Sequence, residues 1–98
     1  MCGICGVFSL GDPLNDRDRT EHRGMTRILR HRGPDQEGVL ERNDFALGNS
    51  RLKIIDLADR AGMPMSNEDG TVWITYNGEV TNFLELRRRF KLDERHRF

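Results

Sequence analysis

Three observations predict an α+β fold. Two short runs rich in apolar, β-branched or aromatic residues, Gly3 to Leu10 and Thr71 to Tyr76, read as strands. Two other segments place apolar residues on one helical face, Met25, Ile28 and Leu29 in the first and Phe83, Leu86 and Phe90 in the second. Between them lie two strand-like stretches about a polar turn, so the order is strand, helix, strand, strand, strand, helix. The 98 residues allow one domain at most, since domains run from ~50 to ~250 residues. Apolar residues make up 36%, or roughly 46% once glycine is added, within the ordinary globular range of ~45–50%.

The first strand, Gly3 to Leu10, is bounded by the turn signal Gly11-Asp12-Pro13, and its apolar, partly β-branched content predicts burial on both faces. The polar stretch Asn15 to Glu21 then leads into Met25, Ile28 and Leu29, one amphipathic helix stopped by Gly33-Pro34. Gly38 to Leu40 and Phe45 to Ile55, with Asn43-Asp44 between them, predict a hairpin. Gly62 to Gly70 is a loop rich in turn residues. Thr71 to Tyr76 is the clearest strand, ended by Asn77-Gly78. The last helix takes Asn82 as N-cap and Glu85 as its capping-box partner.

Charged residues are 33%, yet 16 Lys and Arg balance 16 Asp and Glu. A nucleic-acid or anionic-membrane binder carries a net positive field, so neither partner is expected. Arg87-Arg88-Arg89 reads as a solvated helix face pairing with Glu85. No stretch nears the ~20 consecutive apolar residues of a membrane span. Met1 to Leu10 lacks the basic start of a signal peptide, so the expected compartment is the cytoplasm. Two cysteines are too few for a disulfide scaffold. In an extended chain Cys2 and Cys5 point to opposite faces about 10 Å apart, beyond the ~7 Å limit for a bridge, so free thiols are expected.

Three features carry chemistry, each with a plainer alternative. Cys2 follows Met1 directly. Removal of Met1 leaves Cys2 with an α-amine of pKa about 7.7–8, so that one residue holds both thiol nucleophile and base. Its alternative is an incidental second residue. Asn77-Gly78 can aim a carboxamide N–H and a backbone N–H at one oxygen, as an oxyanion hole requires. Its alternative is a type I′ hairpin turn, against which Glu79 and Val80 lead into a helix instead of a returning strand. Arg51 sits in an apolar strand before Leu52, Ile54 and Ile55, where a guanidinium needs a partner such as a bidentate carboxylate. Its alternative is a strand arginine facing solvent. A Cys2-Cys5 redox pair lacks the preceding strand that such motifs use. Zinc held by Cys2, Cys5 and two of His22, His31 and His96 lacks a matched second pair. Cys5 fits a small core residue of the first strand, and His22 and His31 fit a solvated helix face and its end.

MCGICGVF at the terminus, LRHRGPDQEG at 29–38, SRLKIIDL at 50–57, PMSNEDG at 64–70 and ITYNGEVTNFLELR at 74–87 resemble, in the same order, the glutamine amidotransferase domain of asparagine synthetases. The resemblance covers nearly the whole chain. It implies a class II, N-terminal-nucleophile amidotransferase with a four-layer αββα sandwich, of which residues 1–98 form the N-terminal portion. It further implies that Cys2 attacks the side-chain amide of glutamine, giving a γ-glutamyl thioester and ammonia. Asn77 and the Gly78 amide correspond to the oxyanion hole, and Arg51 to the clamp on the glutamine α-carboxylate. Backbone around Ile54 and Ile55 and the side chain of Glu79 correspond to further substrate contacts. The block Arg32 to Asp35 resembles the asparagine synthetase branch rather than glucosamine-phosphate synthases or amidophosphoribosyltransferases. There Pro34 fixes φ and Asp35 can cap or pair locally, which predicts a shaped loop beside the nucleophile.

The chain also departs from the family. Asn49-Ser50 stands where a His is common before the Arg51 block, and Thr81 where an aromatic is common after Gly-Glu-Ile. Related synthetase-type amidotransferases vary at these positions, so an amidotransferase with a different ammonia acceptor is one alternative. The family's domain is longer, and beyond the segment Phe90 to Phe98 it carries a Ser-Asp-x-Glu motif whose Asp binds the glutamine α-amino group. The 98 residues end before that motif, and the resemblance implies that the rest of the domain, and the synthetase domain that uses ATP and magnesium to activate aspartate, lie outside them. No residue here is assigned to ATP or to a metal. The implied partners are glutamine and a synthetase domain or complementing chain, with room for an oligomer. A non-catalytic truncated fragment is the other alternative.

Overall fold

The computed structural model describes residues 2–54 and 61–97. β1 (Gly3–Phe8), β2 (Gln36–Glu41) and β3 (Phe45–Arg51) form one antiparallel sheet with β3 in the centre. β2 and β3 are the expected hairpin, with Leu40 opposite Leu47 and the Arg42 N–H closing the turn onto Phe45 O at 2.8 Å. β1 pairs along the other side of β3, Gly3 with Ser50 and Phe8 with Phe45. β3 ends at Arg51, short of the expected Ile55. The next two amides leave the ladder there, the Leu52 N–H for Cys2 Sγ and the Lys53 N–H for Asp35 Oδ2.

Strand alternation gives the sheet two faces. One face carries Cys5, Val7, Ala46, Gly48 and Ser50 and packs against α1 (Asp16–Ile28). The helix starts where Asn15 and Asp18 exchange bonds. Asn15 Oδ1 accepts the Asp18 N–H at 2.8 Å, and Asp18 Oδ2 accepts the Asn15 N–H at 3.1 Å. The helix docks through polar groups, which the apolar spacing did not predict. His22 and Thr26 are fully buried, whereas Met25 and Ile28 are 41% and 73% exposed. The cause is Gly48, where a Cβ would stand 2.3 Å from Thr26 Oγ1 and 2.7 Å from Cys5 Sγ. The helix therefore comes close enough over Gly48 for Thr26 and His22 to pack directly against the strand. Thr26 Oγ1 donates to His22 O at 3.1 Å and lies 3.3 Å from Cys5 Sγ, which is 3.8 Å from His22 Nε2. His22 is thus part of the interior and not of a solvated face, while His31 is exposed as expected. At the rim Arg23 grips Glu41 through two bonds of 2.6 and 2.8 Å, in solvent where such pairs add little.

Burial pushes the His22 imidazole below its ordinary pKa, because the charged ring would be desolvated. A histidine whose folded pKa lies below its unfolded value binds fewer protons when folded. Its burial is thus fully compatible with folding above about pH 6.5 and increasingly unfavourable below it. Urea unfolding is expected to show a midpoint that falls from about pH 7 to about pH 5, with a shallower fall in His22→Gln. An equal fall in both chains assigns the acid sensitivity to other groups.

The opposite face is not fully buried, contrary to expectation. Ile4 and Phe8 of β1 are 46% and 64% exposed. Residues 61–79 cross this face, and the Thr75 hydroxyl donates to Gly48 O at 3.3 Å. A groove of about 840 Å³ separates Phe8, Phe45 and Leu47 from Val72 and Trp73. Of the expected strand Thr71 to Tyr76 only β5 (Trp73–Ile74) pairs, with β4 (Met65–Ser66). Asn67 Oδ1 takes the Thr71 and Val72 N–H groups, each at 3.0 Å, which diverts them from a ladder.

α2 (Phe83–Arg89) lacks the expected capping box. Asn82 makes no side-chain cap bond, because its φ of −99° and ψ of 26° depart from the extended backbone that a cap needs. Phe83 and Phe90 stay exposed, and Arg87 pairs with Asp93 beyond the helix end. Among the described residues the buried apolar side chains are Leu14, Leu40 and Ala46, at or near the main sheet. The architecture is α+β with antiparallel strands.

Candidate active site

On the face turned away from α1, the ends of β1 and β3 and residues 76–79 enclose a cavity of about 420 Å³. Cys2, Arg51, Ile54, Asn77, Gly78 and Glu79 all line it, together with Asn49, Leu52 and Tyr76. Ile55 lies outside the described residues.

Cys2 is half-buried at the wall of this cavity. The Leu52 N–H donates to its sulfur at 3.4 Å, and the thiol faces Leu52 O at 3.8 Å. Leu52 is held in place by the block Arg32 to Asp35. Asp35 Oδ2 accepts the Lys53 N–H at 2.8 Å and the Asp35 N–H donates to Arg51 O at 3.1 Å. The loop expected beside Cys2 therefore acts through residues 51–53, the segment that carries the amide donor. Cys5 points to the other face, beneath α1, so the two free thiols are separated as strand alternation requires.

Asn77 Nδ2 donates to Cys2 O at 2.9 Å, across 75 positions of sequence. Asn77-Gly78 is not a hairpin turn, since β5 pairs with the preceding β4 and the chain runs on to α2. A Cβ on Gly78 would stand 2.7 Å from Tyr76 Oη, so glycine is what lets the phenol close over the segment. Arg51 is half-buried, and its Nη1 donates to Oε1 of Gln36, its register partner on β2, at 3.0 Å. The guanidinium thus lies in the cavity wall and not in bulk solvent. Ile54 and Glu79 are exposed at the mouth.

Sequence reasoning named Asn49 only as a departure and missed Leu52 and Tyr76. Strand periodicity could have found the first, because Asn49 lies two residues before Arg51 and shares its face. Leu52 acts through its backbone amide, which no side-chain pattern reveals. The assembled set is a thiol, a carboxamide, a backbone amide, a guanidinium and a carboxylate. Chemically it suits a small molecule bearing a carboxylate and an electrophilic carbonyl.

The family profile of the glutamine amidotransferase domain matches residues 1–98. The chain is 39% identical over 92 residues to asparagine synthetase [glutamine-hydrolyzing] 1 of Bacillus subtilis, covering 93% of this chain and 14% of that protein. It is 42% identical over 91 residues to asparagine synthetase [glutamine-hydrolyzing] 1 of Arabidopsis thaliana, covering 93% and 15%. It is 42% identical over 89 residues to the asparagine synthetase [glutamine-hydrolyzing] of Asparagus officinalis, covering 91% and 15%. The chain spans only 14 to 15% of the length of these curated relatives. With a profile match along its entire length, the chain belongs to the glutamine amidotransferase domain family.

Proposed function

We propose that this chain provides the glutamine-hydrolysing site of an asparagine synthetase-type enzyme, releasing ammonia for amidation of aspartate. The observation that carries the reading is the convergence of Cys2, Arg51, Asn77, Gly78 and Glu79 on one cavity of about 420 Å³. Once Met1 is removed, the Cys2 amine takes the thiol proton as sulfur attacks the glutamine carboxamide carbon. The resulting oxyanion is met by Asn77 Nδ2 and the Gly78 N–H. The amine then gives its proton to the departing nitrogen, so the C–N bond breaks and ammonia leaves with a γ-glutamyl thioester on Cys2. Water cleaves the thioester to glutamate and regenerates the thiol. Arg51 holds the substrate α-carboxylate as a bidentate partner, and Glu79 and the backbone at Ile54 and Ile55 complete the subsite.

In this reading, ATP and magnesium serve the synthetase domain or complementing chain that consumes the ammonia, and no residue of this chain holds them. The α1 layer and the main sheet correspond to one half of a four-layer αββα sandwich. A cytoplasmic setting keeps Cys2 and Cys5 reduced. The test is intact mass before and after incubation with a glutamine-shaped diazoketone, together with ammonia release from glutamine. Loss of Met1, a single adduct on Cys2 and ammonia production are expected. A chain that retains Met1, or takes no adduct on Cys2, sinks the reading.

A further inference from the structure

Asn49 is 1% exposed, lines the Cys2 cavity and has one amide atom without a partner among the described residues. Which atom that is follows from Thr75. The single Thr75 hydroxyl proton goes to Gly48 O at 3.3 Å, so Thr75 Oγ1 can only accept from Asn49. The atom facing it at 3.3 Å is therefore Nδ2, a donor, and the free atom is Oδ1, an acceptor. A buried amide oxygen without a donor is costly, and Asn49 is one of the residues that line the Cys2 cavity.

Resting on the glutaminase reading, the substrate's groups can be matched to the wall. The α-carboxylate meets Arg51 and the carboxamide oxygen meets Asn77 and Gly78. The carboxamide nitrogen carries two N–H donors, and among the described residues that line the cavity Asn49 Oδ1 is the buried acceptor without a partner. We propose that Asn49 Oδ1 accepts a hydrogen bond from the carboxamide nitrogen of glutamine, making Asn49 the residue that distinguishes an amide from an acid or an ester. An ester oxygen has no proton to give, and the γ-carboxylate of the product offers only acceptors. Oδ1 therefore favours the substrate and disfavours retention of glutamate.

The test compares kcat/KM for glutamine and for glutamate γ-methyl ester in the wild type and in Asn49→Leu, which keeps the volume and removes the acceptor. Labelling of Cys2 by the diazoketone analogue, which has no amide N–H, reports an intact pocket. Asn49→Leu is expected to lower kcat/KM for glutamine about 10- to 100-fold, with the ester and the labelling rate changed less than about threefold. If Asn49→Leu also loses labelling, Asn49→Ala, which leaves room in the wall, is read in its place. A parallel loss on glutamine and ester in a chain that still labels, or unchanged glutamine turnover, overturns the assignment. A wild type that turns over neither substrate overturns the glutaminase reading, and the role of Asn49 falls with it.

Discussion

Cys2→Ala is expected to lower glutamine hydrolysis by about 10⁴-fold or more, because in the proposed mechanism it removes the atom that forms the covalent intermediate. The same change is expected to leave the fold intact. The side chain is only half-buried, and the bonds it makes to Leu52 are sulfur contacts of 3.4 and 3.8 Å, weak by nature. A circular-dichroism melt with a nearly unchanged midpoint alongside lost ammonia release separates chemistry from stability. Cys2→Ser sharpens the result, since it keeps the α-amine and replaces only the sulfur. It is expected to fall nearly as far as alanine, because a hydroxyl beside the same base is much the poorer nucleophile. Cys5 serves as an internal reference. It lies beneath α1, 3.3 Å from Thr26 Oγ1, and peptide mapping should find no analogue adduct there. Turnover in Cys2→Ala within tenfold of wild type would place the nucleophile elsewhere.

Much of this site was legible in the sequence, and what was not has physical causes. Cys2, Arg51 and Asn77-Gly78 could be named from residue type and local spacing, and Glu79 from the family resemblance alone. Their meeting in one cavity depends on tertiary contacts such as Asn77 to Cys2, which no local pattern specifies. The β2–β3 hairpin was legible because its turn chemistry and strand residues agree. The inward face of α1 was not. Apolar spacing points to Met25, Ile28 and Leu29; Leu29 is half-buried beside Gly3, but Met25 and Ile28 stay exposed while the missing side chain at Gly48 draws His22 and Thr26 inward. Thr71 to Tyr76 has strong β character yet forms only a two-residue pairing, since that preference acts only where a neighbouring strand offers its amides. Both helices begin at an asparagine, and only Asn15, extended at φ −87° and ψ 174°, makes the reciprocal bonds. Backbone conformation decides capping, and residue type alone cannot.

With Asn77 in its proposed role, Asn77→Ala is expected to lower kcat for glutamine about 10²- to 10³-fold, the usual cost of one lost oxyanion donor. KM should change little, because that bond strengthens only as charge develops on the oxygen. The structure adds a rival contribution that must be separated. Asn77 Nδ2 already donates to Cys2 O at 2.9 Å, so its removal also frees the backbone that carries the proposed nucleophile. The two roles diverge with a reagent that needs no oxyanion. Alkylation of Cys2 by iodoacetamide proceeds by displacement at a saturated carbon, with no tetrahedral oxygen to stabilise. If Asn77 serves mainly the oxyanion, Asn77→Ala alkylates at a rate near wild type while glutamine turnover collapses. If it serves mainly to anchor Cys2, alkylation and turnover fall together. Asn77→Asp discriminates further: its carboxylate cannot donate to either Cys2 O or an oxyanion, and its negative charge opposes the charge that forms there. It is therefore expected to be at least as slow as alanine on glutamine. An Asn77→Asp chain that outperforms Asn77→Ala would rule out charge stabilisation by this side chain.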